Sequence, residues 1–267
     1  MAYRIEPKIW MGLVAAALYV LLAAGLGNAV NIWFPTGSDL GDLVVSHFVP
    51  LPILIVGGLM FIKWAGWSDK VWQATPAHEQ KPRRTWLYAF PILLLVQAVA
   101  PFFGAPWTEA SIMYFVVVLL ATILVGIGEE LYFRGIIRVS IRAHHGAFLT
   151  LILTSLLFGL GHIAGEVFEG LPAALIAFQV SALTMNGILY FGAFLATGKL
   201  WVVMLLHFLT DYGLRLYGIS GSSSEYEPGI ASVVVVYLLW GFAVALVVST
   251  IRQDLRARRE RKRDVSS

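Results

Sequence analysis

Long apolar runs separated by short polar connections set the pattern of this chain. Eight such runs stand out: Ile9–Val30, Leu43–Ile62, Trp86–Phe103, Ile112–Ile127, Ala147–Ile163, Leu171–Thr197, Leu200–Tyr217 and Ile230–Ile251. A helix rises 1.5 Å per residue, so about 20 apolar residues cross the hydrocarbon core of a bilayer. The pattern therefore predicts an all-α, polytopic membrane protein, a bundle of about eight transmembrane helices. No proline stops the fourth run after Ile127, so its helix should continue through Glu129 and Arg134 to about Arg142. Arg134, Arg138 and Arg142 recur every four residues and share one helix face. The first run follows Arg4 and Lys8 as a signal peptide would, but it exceeds the roughly 7–15 residues of such a segment. It reads as a retained first helix.

Composition agrees with lipid as the main solvent. The chain of 267 residues is 58% hydrophobic and 13% charged, against about 25% charged in soluble domains. It has no cysteine, which excludes disulfides, thiolate metal sites and cysteine nucleophiles. The connections sort by charge. One set holds Lys63, Lys70, Lys81, Arg83 and Arg84, then Arg138 and Arg142, then Lys199, then the basic tail 252–267. The alternate set holds Asp39 and Asp42, then Glu109, then Glu166 and Glu169, then Glu225 and Glu227. By the positive-inside rule both termini lie in the cytoplasm and the number of spans is even. The basic tail suits anionic membrane lipid rather than nucleic acid. Within the longest internal connection, Lys63 to Thr85, the rings of Trp64, Trp67 and Trp72 suit the interfacial belt. The stretch Gly218–Gly229, with Ser222–Ser224, reads as an external loop. No internal repeat divides the chain, so 1–267 is one transmembrane domain; a transporter with two similar halves is disfavoured.

Ionisable side chains are costly at membrane depth and usually face a cavity. Here they gather in three runs: Glu129, Glu130 and Arg134 in the fourth, His162 in the fifth, His207 and Asp211 in the seventh. Taken singly, each has a plainer reading, as a solvated helix end, an interfacial histidine or an anchoring arginine. Together they point to one polar pocket. Glu130 and Arg134 are four apart and can pair. Glu129 is turned about 100° from Glu130 and can face the bundle interior. Asp211, four residues after His207, can accept from one ring nitrogen and aim the other. Phe158, one turn before His162, would pack the pocket wall. Asn186 could reach the site from the sixth run. His47, His78, His144 and His145 read as loop or helix-end residues. One difficulty concerns depth: His162 lies roughly 20 Å along the fifth helix, while Glu129 looks shallower. Either the fourth helix enters deeply or the fifth begins inside the bundle.

Glu129-Glu130…Arg134, Phe158…His162 and His207…Asp211 resemble, in order, the EExxxR, FxxxH and HxxxN/D motifs of one family. That family is the CAAX protease and bacteriocin-processing (Abi) family, which includes the Rce1-type prenyl-protein endopeptidases. The similar core spans about 112–217. The resemblance implies an intramembrane endopeptidase acting on a membrane-associated peptide, prenylated and CAAX-type in one branch. Glu129 would activate water, His162 would hold it, and His207 would stabilise the oxyanion with Asp211 orienting it. Arg134 would anchor Glu130. The resemblance favours a glutamate protease without a metal, although Glu129, His162 and His207 could supply the ligands of an open zinc site. It further implies a bacterial or archaeal plasma membrane, with the site enclosed by helices four to seven and reached from the cytoplasm. The alternative is a non-proteolytic immunity or scaffold protein of the same family.

Overall fold

A computed structural model describes residues 3–217 and 227–266. Seven of its helices are long and apolar enough to cross a membrane. They are α1 (Ile9–Trp33), α2 (Asp39–Ala65), α3 (Thr85–Phe103), α4 (Ile112–Arg142), α5 (Ala147–Phe168), α6 (Ala173–Thr197) and, after one shorter helix, α8 (Ile230–Ser266). The shorter one is α7 (Leu200–Arg215), with 16 residues. At about 24 Å, α7 falls short of the roughly 30 Å core. Among the described residues no strand forms; one isolated bridge joins Gln73 to Lys199. The chain is a polytopic all-α membrane bundle, with seven helices of spanning length where the pattern of runs suggests eight. Large apolar side chains such as Ile112, Phe103 and Trp33 stay exposed on its outside, where lipid rather than water is the solvent.

The short α7 has a physical cause. Gly198 ends α6 with φ of 66°, a left-handed turn that glycine adopts without strain. Gly198 is buried against the connection after α2, while Lys199 beside it stays exposed. The Ala74 N–H donates to the Gly198 carbonyl at 3.0 Å, and the Ala77 N–H to the Ala196 carbonyl at 3.0 Å. The connection after α2, which includes a one-turn helix Ser68–Trp72, folds under this turn and fills the space α7 leaves. Its Trp67, Val71 and Ala77 are fully buried. Trp67 is thus a core residue, not an interfacial one: its indole N–H donates to the Ile5 carbonyl at 2.8 Å.

The depth difficulty resolves through α4. This helix runs on to Arg142, widening to π geometry over Leu131–Ile137. Glu129 therefore lies about 20 Å along α4 from Arg142, and His162 about 22 Å along α5 from Ala147. Because α4 and α5 join at that end, the two residues come level. Leu200 begins α7 beside Gly135, where a Cβ would lie 3.6 Å from its Cδ2. From that level, Glu129 and His207 both lie about 10 Å further in.

Small residues let these helices close. A Cβ on Gly126 of α4 would stand 3.0 Å from the Met204 carbonyl of α7, and one on Gly187 of α6 would stand 2.8 Å from Ser155 of α5. The carboxylate of Asp254 in α8 accepts from the Ala147 and Phe148 N–H groups at 2.8 and 3.1 Å. It thereby caps α5 from a distant helix. At the other end, Arg215 closes α7, so the end carrying the acidic connections does hold one cation. Of the Gly218–Gly229 stretch, residues 218–226, with Ser222–Ser224 and Glu225, lie outside the described residues.

Candidate active site

The site starts where regular α4 widens. Glu130 is fully buried, and its Oε1 accepts from Arg134 Nη1 at 2.9 Å. Arg134 is buried too; it donates to the Gly187 carbonyl at 3.3 Å and lies 4.1 Å over the Phe158 ring. A buried guanidinium needs such partners, since removing it from water costs several kcal/mol. The same Glu130 oxygen stands 2.8 Å from His207 Nδ1. Glu130 thus ties α4 to α7, while Arg134 ties both to α6.

With Nδ1 committed to Glu130, the other nitrogen of His207 is aimed. Its Nε2 lies 3.7 Å from Glu129 Oε2 and 3.7 Å from Asp211 Oδ2. The ring stacks on Tyr190, with centroids 4.8 Å apart and 21° between planes. The geometry differs here from the expectation for Asp211. Glu130, not Asp211, holds the far nitrogen, and Asp211 faces the near one. Four-residue spacing puts two side chains on one face but leaves open which nitrogen they meet.

His162 is aimed by the backbone. Its Nδ1 lies 2.9 Å from the Phe158 carbonyl, one turn back. A carbonyl only accepts, so Nδ1 carries the proton. In the neutral ring Nε2 is then an acceptor, and it faces Glu129 Oε1 at 3.9 Å. Phe158 packs edge-on to His162 and His207 at 5.1 and 5.8 Å. Exposure separates the two glutamates: Glu129 keeps 14% of its side chain accessible and Glu130 none. Glu129, His162 and His207 converge on one cavity of about 380 Å³, which Asp211 and Asn186 also line. That size suits a small ligand or a short peptide segment.

The enclosure is wider than helices four to seven. Tyr19 and Asn28 of α1 and Ser46 and His47 of α2 complete the wall, so His47 is not merely a helix-end residue. The lining runs from Glu129 toward Glu169 and Arg215, both exposed at the end carrying the acidic connections. In the opposite direction every residue from Leu131 to Ile137 is buried. Tyr190 and Tyr19 are the functional-site residues that sequence reasoning missed. Neither belongs to a spaced motif; Asn186, one turn before Tyr190, is the only nearby polar signal. Among the described residues no group of three or more His, Cys, Asp or Glu side chains is arranged as a metal site. Glu129, His162 and His207 are the donors nearest to forming one.

Residues 111–213 match the family model described as Type II CAAX prenyl endopeptidase Rce1-like. The matched segment covers less than half of the chain and contains α4 to most of α7, every motif residue included. No curated protein matches the chain.

Proposed function

Starting from the Rce1-like segment that the chain carries, we propose that the protein is a glutamate-type intramembrane endopeptidase cutting a membrane-associated peptide. The observation that carries the reading is the meeting of Glu129 with two imidazole Nε2 atoms, at 3.7 and 3.9 Å, on one cavity. Those gaps are too long for direct hydrogen bonds, and a water can touch both sides.

The water donates one O–H to Glu129 Oε1 and the other to His162 Nε2, leaving a lone pair for attack. As its oxygen bonds the scissile carbonyl carbon, its proton passes to Glu129. The carbonyl π pair moves onto oxygen, and His207, an imidazolium whose Nδ1–H is held by the Glu130 carboxylate, donates its Nε2–H to that oxyanion. Collapse of the tetrahedral species breaks the C–N bond, and Glu129 returns the proton to the leaving amine. Glu130, held by Arg134, fixes the ring of His207, and Asp211 stands beside the donated proton. This reading uses no metal.

The lining of the cavity supports approach from the end carrying the acidic connections. With the termini in the cytoplasm, as the charge pattern implies, that is the outer half of the bilayer. The substrate in this reading is a segment held in the membrane, not a soluble cytoplasmic tail.

The test is cleavage of a peptide library by purified protein, with Glu129→Ala and His207→Ala controls and a chelator arm. Both variants are expected to lose cleavage while chelation leaves it intact. Cleavage retained in Glu129→Ala would remove the base, and activity lost on chelation and restored by zinc would replace the metal-free reading.

A further inference from the structure

A second cavity, of about 1410 Å³, lies at the basic end of the bundle, among α8, the start of α3, the end of α4 and the connection after α2. It exceeds the roughly 300–1,000 Å³ of small-molecule pockets. Lys81, Arg84, Arg138, Arg142, Arg252 and Arg256 line it. Among the described residues none of these six comes within ion-pair distance of a carboxylate. Their protein partners are neutral. Arg84 donates to Ser249 Oγ at 2.8 Å and Gln253 Oε1 at 3.4 Å, and its Nε is buried with no partner. Arg138 is only 8% exposed. It meets the carbonyls of Arg134, Lys70 and Val71 and lies 4.3 Å over the Phe194 ring. Glu79 and Glu260 also line the cavity, but among the described residues neither stands within ion-pair distance of these cations, so the buried Arg138 lacks the anion that a buried cation normally finds.

Part of the wall is apolar. Phe191 and Phe194 of α6 and Ala245 and Val248 of α8 line it. Val248 is 40% exposed, and Val244, one turn away, is 62% exposed. The cavity wall thus runs into the lipid-facing surface of α8. Cations above an apolar wall between membrane helices suit an anionic head with a hydrocarbon body.

We propose that this cavity binds the phosphoryl headgroup of an anionic membrane lipid, with an acyl chain laid along α6 and α8. The bound headgroup would pin α8 to the connection after α2, which Arg84 already bridges. The assignment does not depend on the proteolytic reading, because this cavity shares no lining residue with the one that holds Glu129, His162 and His207.

Native mass spectrometry of the full chain, given phosphatidylglycerol and phosphatidylcholine in equal amounts, tests it. The wild type is expected to retain phosphatidylglycerol preferentially. Lys81→Gln with Arg252→Gln changes two exposed cations of the cavity that make no hydrogen bond among the described residues. That pair should cut the preference roughly tenfold or more. Arg258→Gln with Arg261→Gln removes the same charge from the tail outside the cavity and should leave the preference standing. Equal retention of the two lipids, or equal loss in both variant pairs, would overturn the site. Displacement of the lipid by excess inorganic phosphate would leave a phosphoryl site but end the lipid assignment, and displacement by a polyglutamate peptide would reassign the cavity to an acidic polypeptide.

Discussion

Adjacent carboxylates do opposite jobs here. Glu130 has an arginine and an imidazole on Oε1 at 2.9 and 2.8 Å, whereas Glu129 meets its two imidazoles only at 3.7 and 3.9 Å. In the proposed reaction the first is a strut and the second takes the proton. Glu129→Gln keeps the shape and removes the basicity. It should lower cleavage by at least about 100-fold while the unfolding temperature in detergent stays unchanged. Arg134→Met should do the reverse. It leaves Glu130 buried without its cation, a loss of about 3–5 kcal/mol, visible as a large fall in unfolding temperature. A stable, inactive Arg134→Met protein would show that the pair acts in chemistry and not in holding the helices together.

Helices bring these residues together only because their backbones approach closely. Gly126 allows α7 to lie against α4, with the Met204 carbonyl 3.0 Å from the place a Cβ would take. Gly126→Val should cost about 1–3 kcal/mol by overpacking. It should also reduce cleavage on the order of 100-fold, because displacing His207 by about 1 Å spoils its aim. Gly57, with open space around its Cβ position, is the matched control, and Gly57→Val should cleave normally. If both substitutions behave alike, the close approach of α4 and α7 does not govern the site.

The whole molecule is polarised, with a basic cavity toward one end and a cavity lined by Glu129, His162 and His207 that reaches Glu169 and Arg215 toward the other. The chain has no cysteine, so single reporters can map its sides without background. In intact cells, Glu169→Cys should react with a membrane-impermeant maleimide, and Gln253→Cys only after permeabilisation. The opposite labelling would invert the orientation and place the catalytic opening in the cytoplasm.

The helical, membrane-spanning class was legible in the sequence, because each apolar run needs only its own length and lipid's lack of hydrogen bonds. The three polar clusters were legible as well, since ionisable residues at that depth are too costly to keep without a cavity. The pairing of Glu130 with Arg134 followed from helical spacing alone. Three-dimensional contact decided the rest. Only the fold shows that His207 turns Nδ1 to Glu130 instead of Asp211, that Tyr190 supports its ring, and that Tyr19 and His47 help wall the cavity. Only the fold shows that α7 starts on a turn closed by Ala74, and that the cavity lining reaches Glu169 and Arg215. Local periodicity says which face a residue occupies; the meeting of residues distant in the chain is set by how helices pack, and no spacing along the chain encodes that.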